Sequence, residues 1–200
     1  MKEKLFGNSK EGTLFIISAP AGTGKTTLVK KLAGEFPYVT QSISFTTRAP
    51  RPKERHGVDY FFVSREEFEK QIEDKAFLEH VELYGDYYGT SIKWVEEELS
   101  SGKHVILVID TQGALQLKEK LEAVFIFLIP PSIEELKRRL IERNTENETI
   151  IKERLKWAER EIACARFYDY KIINADLDTA YRVLQSILIA EAHRADILPS

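Results

Sequence analysis

Two groups of residues have the types and spacing to do chemistry. The first is Ser18-Ala19-Pro20-Ala21-Gly22-Thr23-Gly24-Lys25-Thr26, entered from the apolar run Leu14-Phe15-Ile16-Ile17. Gly22 and Gly24 let the backbone curl so that successive N–H groups converge on one point, with no Cβ in the way. A helix starting near Gly24 would add the positive end of its dipole. Lys25 would then reach the β- and γ-phosphates of a nucleotide, and the Thr26 hydroxyl would coordinate Mg²⁺. The stretch follows the phosphate-loop pattern G-x-x-x-x-G-K-[ST], except that Ala19 stands at the first glycine. A chance glycine-rich turn would not need a strand pattern before it and a helix pattern after it. Both are present, so residues 19–26 are expected to cradle a nucleoside triphosphate.

The second group is Ser44-Phe45-Thr46-Thr47-Arg48-Ala49-Pro50-Arg51-Pro52, followed by His56-Gly57-Val58-Asp59-Tyr60-Phe61-Phe62. The prolines stiffen the loop, and two guanidiniums at this spacing can clamp one phosphate with forked hydrogen bonds. Taken alone, the segment reads equally well as a solvated basic loop.

The elements that must position these groups alternate between strand and helix patterns, which favours an α/β fold around a parallel sheet. Strands are expected at Leu14–Ser18, Val39–Ser44, Val105–Asp110, Val124–Ile129 and Lys171–Asn174. The unbroken apolar character of the third and fourth fits strands buried on both faces. Helices are expected from Lys25 to about Glu35, Ile133 to about Asn144, Thr149 to about Phe167 and Leu177 to about Ala192. Ser132 with Glu135 has capping-box spacing and sets the start of the second of these. Residues 45–95 break the rhythm. Strand-like Tyr60–Val63 and Phe77–Leu83 flank a helix from Arg65 to about Asp74, opened by the box Ser64/Glu67. Ligands of such sheets bind at the carboxyl ends of the strands, so an inserted lobe here would lie over the phosphate loop. The polar stretch Asn144–Glu148 suits either a plain turn or the tip of a mobile lid.

Composition narrows the function classes. The 200 residues are 43% hydrophobic, enough for a core, and the net charge of −3 argues against a general nucleic-acid binder. Arg48, Arg51, Lys53 and Arg55 form one local cationic patch and Lys137, Arg138, Arg139 and Arg143 another, which suits small phosphate ligands. The single Cys164 excludes an internal disulfide and is expected to be a buried structural thiol. Residues 1–12 lack the apolar core of a signal peptide, and Ala123–Ile129 is far short of the ~20 residues a membrane helix needs. The reading is a cytoplasmic protein without a membrane or nucleic-acid partner.

The ordered set of motifs resembles the guanylate kinase family, ATP-dependent enzymes that phosphorylate GMP to GDP. It runs from Leu14 to about Glu191 and comprises Ser18–Thr26, Ser-x-Thr-Thr-Arg-x-Pro-Arg at 44–51 and Gly-x-Asp-Tyr-x-Phe at 57–62. It continues with Phe77-Leu78-Glu79-His80, Tyr87-Tyr88-Gly89-Thr90, Ile109-Asp110-x-Gln112-Gly113 and an arginine-rich segment from Arg139 to Arg154. The resemblance implies a P-loop NTPase-type, parallel five-stranded core (residues 1–44, 91–138 and 155–200). An inserted α+β GMP-binding lobe (45–90) and a helical lid (139–154) would complete it. It implies ATP with Mg²⁺ on the phosphate loop, with Asn174 near the adenine. Arg48, Arg51, Tyr60 and Tyr88 would hold the GMP phosphate. Glu79, Ser44 and Thr90 would read the guanine, with Gly89 and Asp110 completing the GMP site. Lys25, Arg139, Arg143 and Arg154 would converge on the transferred phosphoryl group. GMP and dGMP are the implied acceptors, and a monomer or homodimer is left open.

Three positions depart from the family pattern. Val108 stands where an aspartate usually precedes Ile-Asp, Asn144 where the lid usually has glycine, and Ala175 where an acid follows Asn174. Two other functions share the scaffold: a phosphotransferase acting on a sugar phosphate, and a peptide-binding module without catalysis. The second can dispense with Lys25, Thr26 and the lid arginines, all of which this chain has.

Overall fold

The structure, a computed structural model, describes residues 12–83, 85–142 and 148–194. Its centre is a five-stranded sheet in the order β2-β7-β1-β8-β9, every pair parallel. The strands are β1 (Leu14–Ser18), β2 (Val39–Gln41), β7 (His104–Val108), β8 (Val124–Ile129) and β9 (Tyr170–Ile173). All five residues of β1 are buried, because helices cover both faces of the sheet. Phe15 and Ile17 point to one face, against Leu28, Val29 and Leu32 of α1 (Lys25–Glu35) and Ala180, Leu184 and Leu188 of α7 (Leu177–Glu191). Leu14 and Ile16 point to the other, with Val95 of α3 (Ile92–Ser100) and Ala114 and Leu117 of α4 (Thr111–Lys118). The period of two along β1 thus divides the core into two layers.

A second sheet, β4-β3-β6-β5, forms from β3 (Phe45–Thr46), β4 (Phe61–Phe62), β5 (Phe77–Leu83) and β6 (Asp86–Ser91). The chain leaves the first sheet sooner than expected. After Gln41 only Ser42 still bonds to β7, through Ile106 O at 3.0 Å, and by Ser44 the backbone accepts from Phe61 in the second sheet. That change of sheet ends β2 three residues early. Helix α2 (Arg65–Glu73) opens with a complete Ser64/Glu67 capping box and drives Phe68 into the sheet, stacked on Phe77 and Tyr87. Gly89 lies beneath those rings: a Cβ there would stand 2.9 Å from Phe68 Cζ.

Helices α5 (Ile133–Glu142) and α6 (Glu148–Ala163) pack on each other through Leu136, Leu140, Ile151 and Ala158. At the start of α5, the Glu135 N–H bonds Ser132 Oγ at 3.1 Å, while the Glu135 carboxylate turns to Arg138 and Arg139. The expected box is therefore closed on one side only. Helix α6 ends at Ala163 and a 3-10 turn, Cys164–Phe167, replaces its expected last turn. Cys164 is half-buried, not buried, and its thiol faces the Arg160 carbonyl. Strand β7 stops at Val108, because Asp110 turns out to cap α4. Arg143 and Asn144, and with them the hinge reading of Asn144, lie outside the described residues.

Candidate active site

The loop between β1 and α1 is shaped by two left-handed glycines, Gly22 at φ 90° and Gly24 at φ 95°. Gly24 is the N-cap of α1, which has neither a side-chain cap nor an acid in its first turn, whereas Ser64, Ser91, Asp110 and Asp176 cap α2, α3, α4 and α7. The N–H groups opening α1 are thus left to an anion in the loop. Behind the loop, buried Asn174 donates from Nδ2 to Thr23 O at 2.6 Å. A Cβ on Gly24 would come within 2.8 Å of that Nδ2. Asn174 therefore sets the loop's curvature from behind. Lys25 Nζ donates back to the Ala19 carbonyl across the loop.

A cavity of about 280 Å³ opens from Lys25 and Thr26 towards the second sheet, lined there by Ser44, Tyr60, Glu79 and Tyr88 and closed by Val108, Asp110, Trp157 and Glu161. Along β6, Tyr88 and Thr90 share the face turned from Gly89 and the rings of Phe68 and Phe77. Tyr60 meets Tyr88 edge-on, with ring centroids 6.1 Å apart. Burial holds the Tyr60 phenol above its ordinary range, so it stays a donor at neutral pH. Arg48 stands beside Tyr60, 5.5 Å from its ring centroid, with the Tyr88 phenol within its electrostatic reach. The same guanidinium meets both oxygens of Glu54, at 2.9 and 3.1 Å. Arg51, more exposed, donates its N–H to Glu54 at 2.8 Å. Glu54 holds the two arginines together, a role the sequence reading missed; its position three residues after Arg51 was the available signal.

Two carboxylates lie deep in the cavity. Glu79 is 3% exposed, and its Oε1 accepts from Thr90 Oγ1 at 2.7 Å. Its Oε2 lies against Gly113, where a Cβ would stand only 2.6 Å away. Burial pushes the Glu79 carboxyl up to about 7, with Asp110 adding repulsion and the Thr90 hydrogen bond opposing. Asp110 is also held above the usual carboxylate range by burial, against the N–H groups of Gly113 and Gln112 and the charge of Lys25. On residue type alone Glu79 would face solvent. Its register shows otherwise: β5 shifts register between Phe77 and Glu79, so Phe77 faces α2 while Glu79 and Val81, paired with Thr90 and Tyr88, face the cavity and His80 and Glu82 point out.

Of the three expected lid cations, Arg139 and Arg154 are among the described residues. Arg139 is tied to Glu135 at 2.8 Å and to the Asn174 carbonyl at 3.1 Å, beside Gly22 and Gly24 in a separate groove. Arg154 lies within the field of Glu161, on the cavity side of α6. Oxygen donors at the loop suit Mg²⁺, which keeps several waters and binds chiefly through nucleotide phosphates. Among the described residues no group of three or more His, Cys, Asp or Glu is placed to hold a metal without a nucleotide, and the exposed Thr26 hydroxyl fits that mode of binding.

Comparison with known proteins decides the lineage. Residues 11–191 match the family model described as guanylate kinase. The chain belongs to the guanylate kinase family. The guanylate kinase of Protochlamydia amoebophila is 61% identical over 190 residues, covering 95% of this chain and 96% of the relative. That of Geobacter sulfurreducens is 47% identical over 186 residues, covering 92% of each. The crystal structure of guanylate kinase from Anaplasma phagocytophilum superposes with a TM-score of 0.78 at 36% identity, over 94% of this chain and 89% of that one. A parallel P-loop core carries a second sheet that shares a cavity with the loop. Among the described residues no helix is long and apolar enough to cross a membrane.

Proposed function

We propose that the protein transfers the γ-phosphoryl group of ATP to GMP, forming ADP and GDP, with ATP phosphates on Gly22–Thr26 and GMP in the cavity facing them. One observation carries the choice of acceptor: a buried carboxylate, Glu79, fixed by Thr90, shares a cavity with Lys25 and Thr26. Guanine presents adjacent N1–H and N2–H donors, and an ionised carboxylate offers only acceptors. Adenine would leave Glu79 unpaired, a fault that can be worth ~10⁴-fold in selectivity. Ser44, on the same wall, and Asp110 beneath are assigned to the remaining guanine edge. Tyr60, Tyr88, Arg48 and Arg51 are assigned to the GMP phosphate.

The chemistry needs no general base. A phosphate oxygen of GMP is already ionised; it forms the new bond to the γ-phosphorus as the bond to the β-phosphate oxygen breaks, and that electron pair leaves with ADP. Rate then comes from positioning and charge. Lys25 and the arginines Arg139, Arg143 and Arg154 are the assigned cations. Thr26 would hold Mg²⁺ brought in with ATP, and the ion would supply neutralisation of phosphate charge there. Asn174 acts on ATP through the shape of the loop. The apolar Val108 lines the cavity where the family pattern has a carboxylate expected to support guanine recognition, which leaves the base selectivity to Glu79 and its neighbours.

The test is a phosphoryl-transfer assay with ATP and Mg²⁺ against GMP, dGMP, AMP, CMP, UMP and a sugar phosphate. GMP and dGMP should turn over at least about tenfold faster than the others. Equal use of AMP, or of the sugar phosphate alone, would overturn the assignment of Glu79, and no turnover at all would favour a binding module.

A further inference from the structure

Glu161 has no role in the reaction as assigned above, yet it faces the site. It follows Arg154 by seven residues on α6, so the two lie on one face of the helix, with Trp157 between them. The neighbouring stripe, Ile151 and Ala158, is spent on packing against α5. Trp157 and Glu161 line the cavity beside Lys25, Thr26 and Asp110. The charged groups around Glu161 come from three elements: Lys25 from α1, Asp110 from the start of α4, and Arg154 from α6 itself. The phenol of Tyr168, just past the 3-10 turn, is buried near the same two carboxylates.

Burial pushes the Glu161 carboxyl up to about 7, Asp110 adds to this, and Lys25 and Arg154 pull the other way. A buried carboxylate next to Asp110 is costly, and its two neighbouring cations are what offset it. Those cations belong to different parts of the machine, one to the phosphate loop and one to the lid helix.

We propose that Glu161 is a positioning residue for phosphoryl transfer: lining one cavity with Lys25 and sharing one face of α6 with Arg154, its carboxylate holds the lid helix in register with the phosphate loop. The role rests on the reading of Arg154 as a phosphate-contacting cation. It acts through orientation, so it governs turnover more than GMP affinity.

The experiment is a double-mutant cycle of E161Q and R154A, with kcat, both KM values and thermal unfolding measured for each protein. R154A should lower kcat by ~10²-fold or more, as loss of a transition-state arginine does. E161Q should lower kcat by about tenfold, leave the GMP KM within about twofold and leave Tm unchanged or raised, since it removes a buried charge. In the R154A background E161Q should cost nothing further. E161D, which keeps the charge one carbon short, should fall between wild type and E161Q, and it supplies the same cycle if glutamine at 161 impairs folding. A kcat for E161Q within twofold of wild type, or losses that multiply in the double mutant, would overturn the proposal. Near-normal kcat for R154A would instead sink the reading of the lid arginine and take the role of Glu161 with it.

Discussion

A carboxylate that must be ionised to bind its ligand, in a pocket that favours its protonated form, makes binding depend on pH. Glu79 sits at about 7 in the free protein, against an ordinary value of 4.5, because it is buried beside Asp110. To accept from guanine N1–H and N2–H it must lose its proton, so GMP binding releases a proton below that value. GMP affinity should therefore rise with pH through about 7 and level off above it. In E79Q this component should vanish, leaving only the titration shared by both proteins, and affinity should be lower throughout. Titration calorimetry in buffers of different ionisation enthalpy measures both quantities. The sign for stability is opposite. Between 4.5 and about 7 the folded state holds a proton that the unfolded state has lost, so Glu79 lowers stability as pH rises through that window. E79Q should accordingly raise Tm at pH 8 and leave it nearly unchanged at pH 4. None of this was legible in the residue type. A lone glutamate on a strand is more often a solvent-facing residue, and the register shift between Phe77 and Glu79 that turns Glu79 to the cavity leaves no mark in the apolar pattern.

Glu79 is in turn placed by an element, the first turn of α4. Asp110 caps that helix through Gly113 N at 3.0 Å, and the bare α-carbon of Gly113 makes room for the Glu79 carboxylate. A methyl group there would overlap Oε2, so G113A should raise the GMP KM by about tenfold or more while leaving the ATP KM alone. Steady-state kinetics in both substrates check this; an unchanged GMP KM would show that Glu79 does not need its present position. Stability should move little, because overpacking of ~1–3 kcal/mol is partly offset by the ~1 kcal/mol helix preference of alanine. Helix α4 was itself invisible as a helix. It is short, it carries a glycine in its first turn, and its capping aspartate reads as the end of the preceding strand. Strand β6 was hidden for a related reason: Asp86-Tyr-Tyr-Gly-Thr-Ser carries no apolar alternation, since its packing face is Tyr87 and Gly89 under the rings of Phe68 and Phe77. By contrast β1, β8, α2 and α7 follow directly from apolar runs and caps, because local chemistry and tertiary burial agree there.

At the scale of the whole molecule, two sheets meet over one gap. The parallel sheet delivers the phosphate loop at its carboxyl edge, and the second sheet delivers Tyr60, Tyr88 and the arginines bound by Glu54. The two are tied on the outside by Lys30 of α1 and Asp59 of the loop before β4, 2.8 Å apart. An exposed pair of this kind contributes at most ~1 kcal/mol, so it is a minor tie between the two. The central claim is that the two anion sites face each other at the span of one transferred phosphoryl group. A single compound joining adenosine to guanosine through five phosphates tests it, by titration against the protein beside ATP and GMP separately. One molecule should bind per chain, at least ~10²-fold tighter than either nucleotide, because the second half binds at the high effective concentration set by the first. Two molecules bound per chain, or an affinity no better than that of ATP alone, would contradict the account.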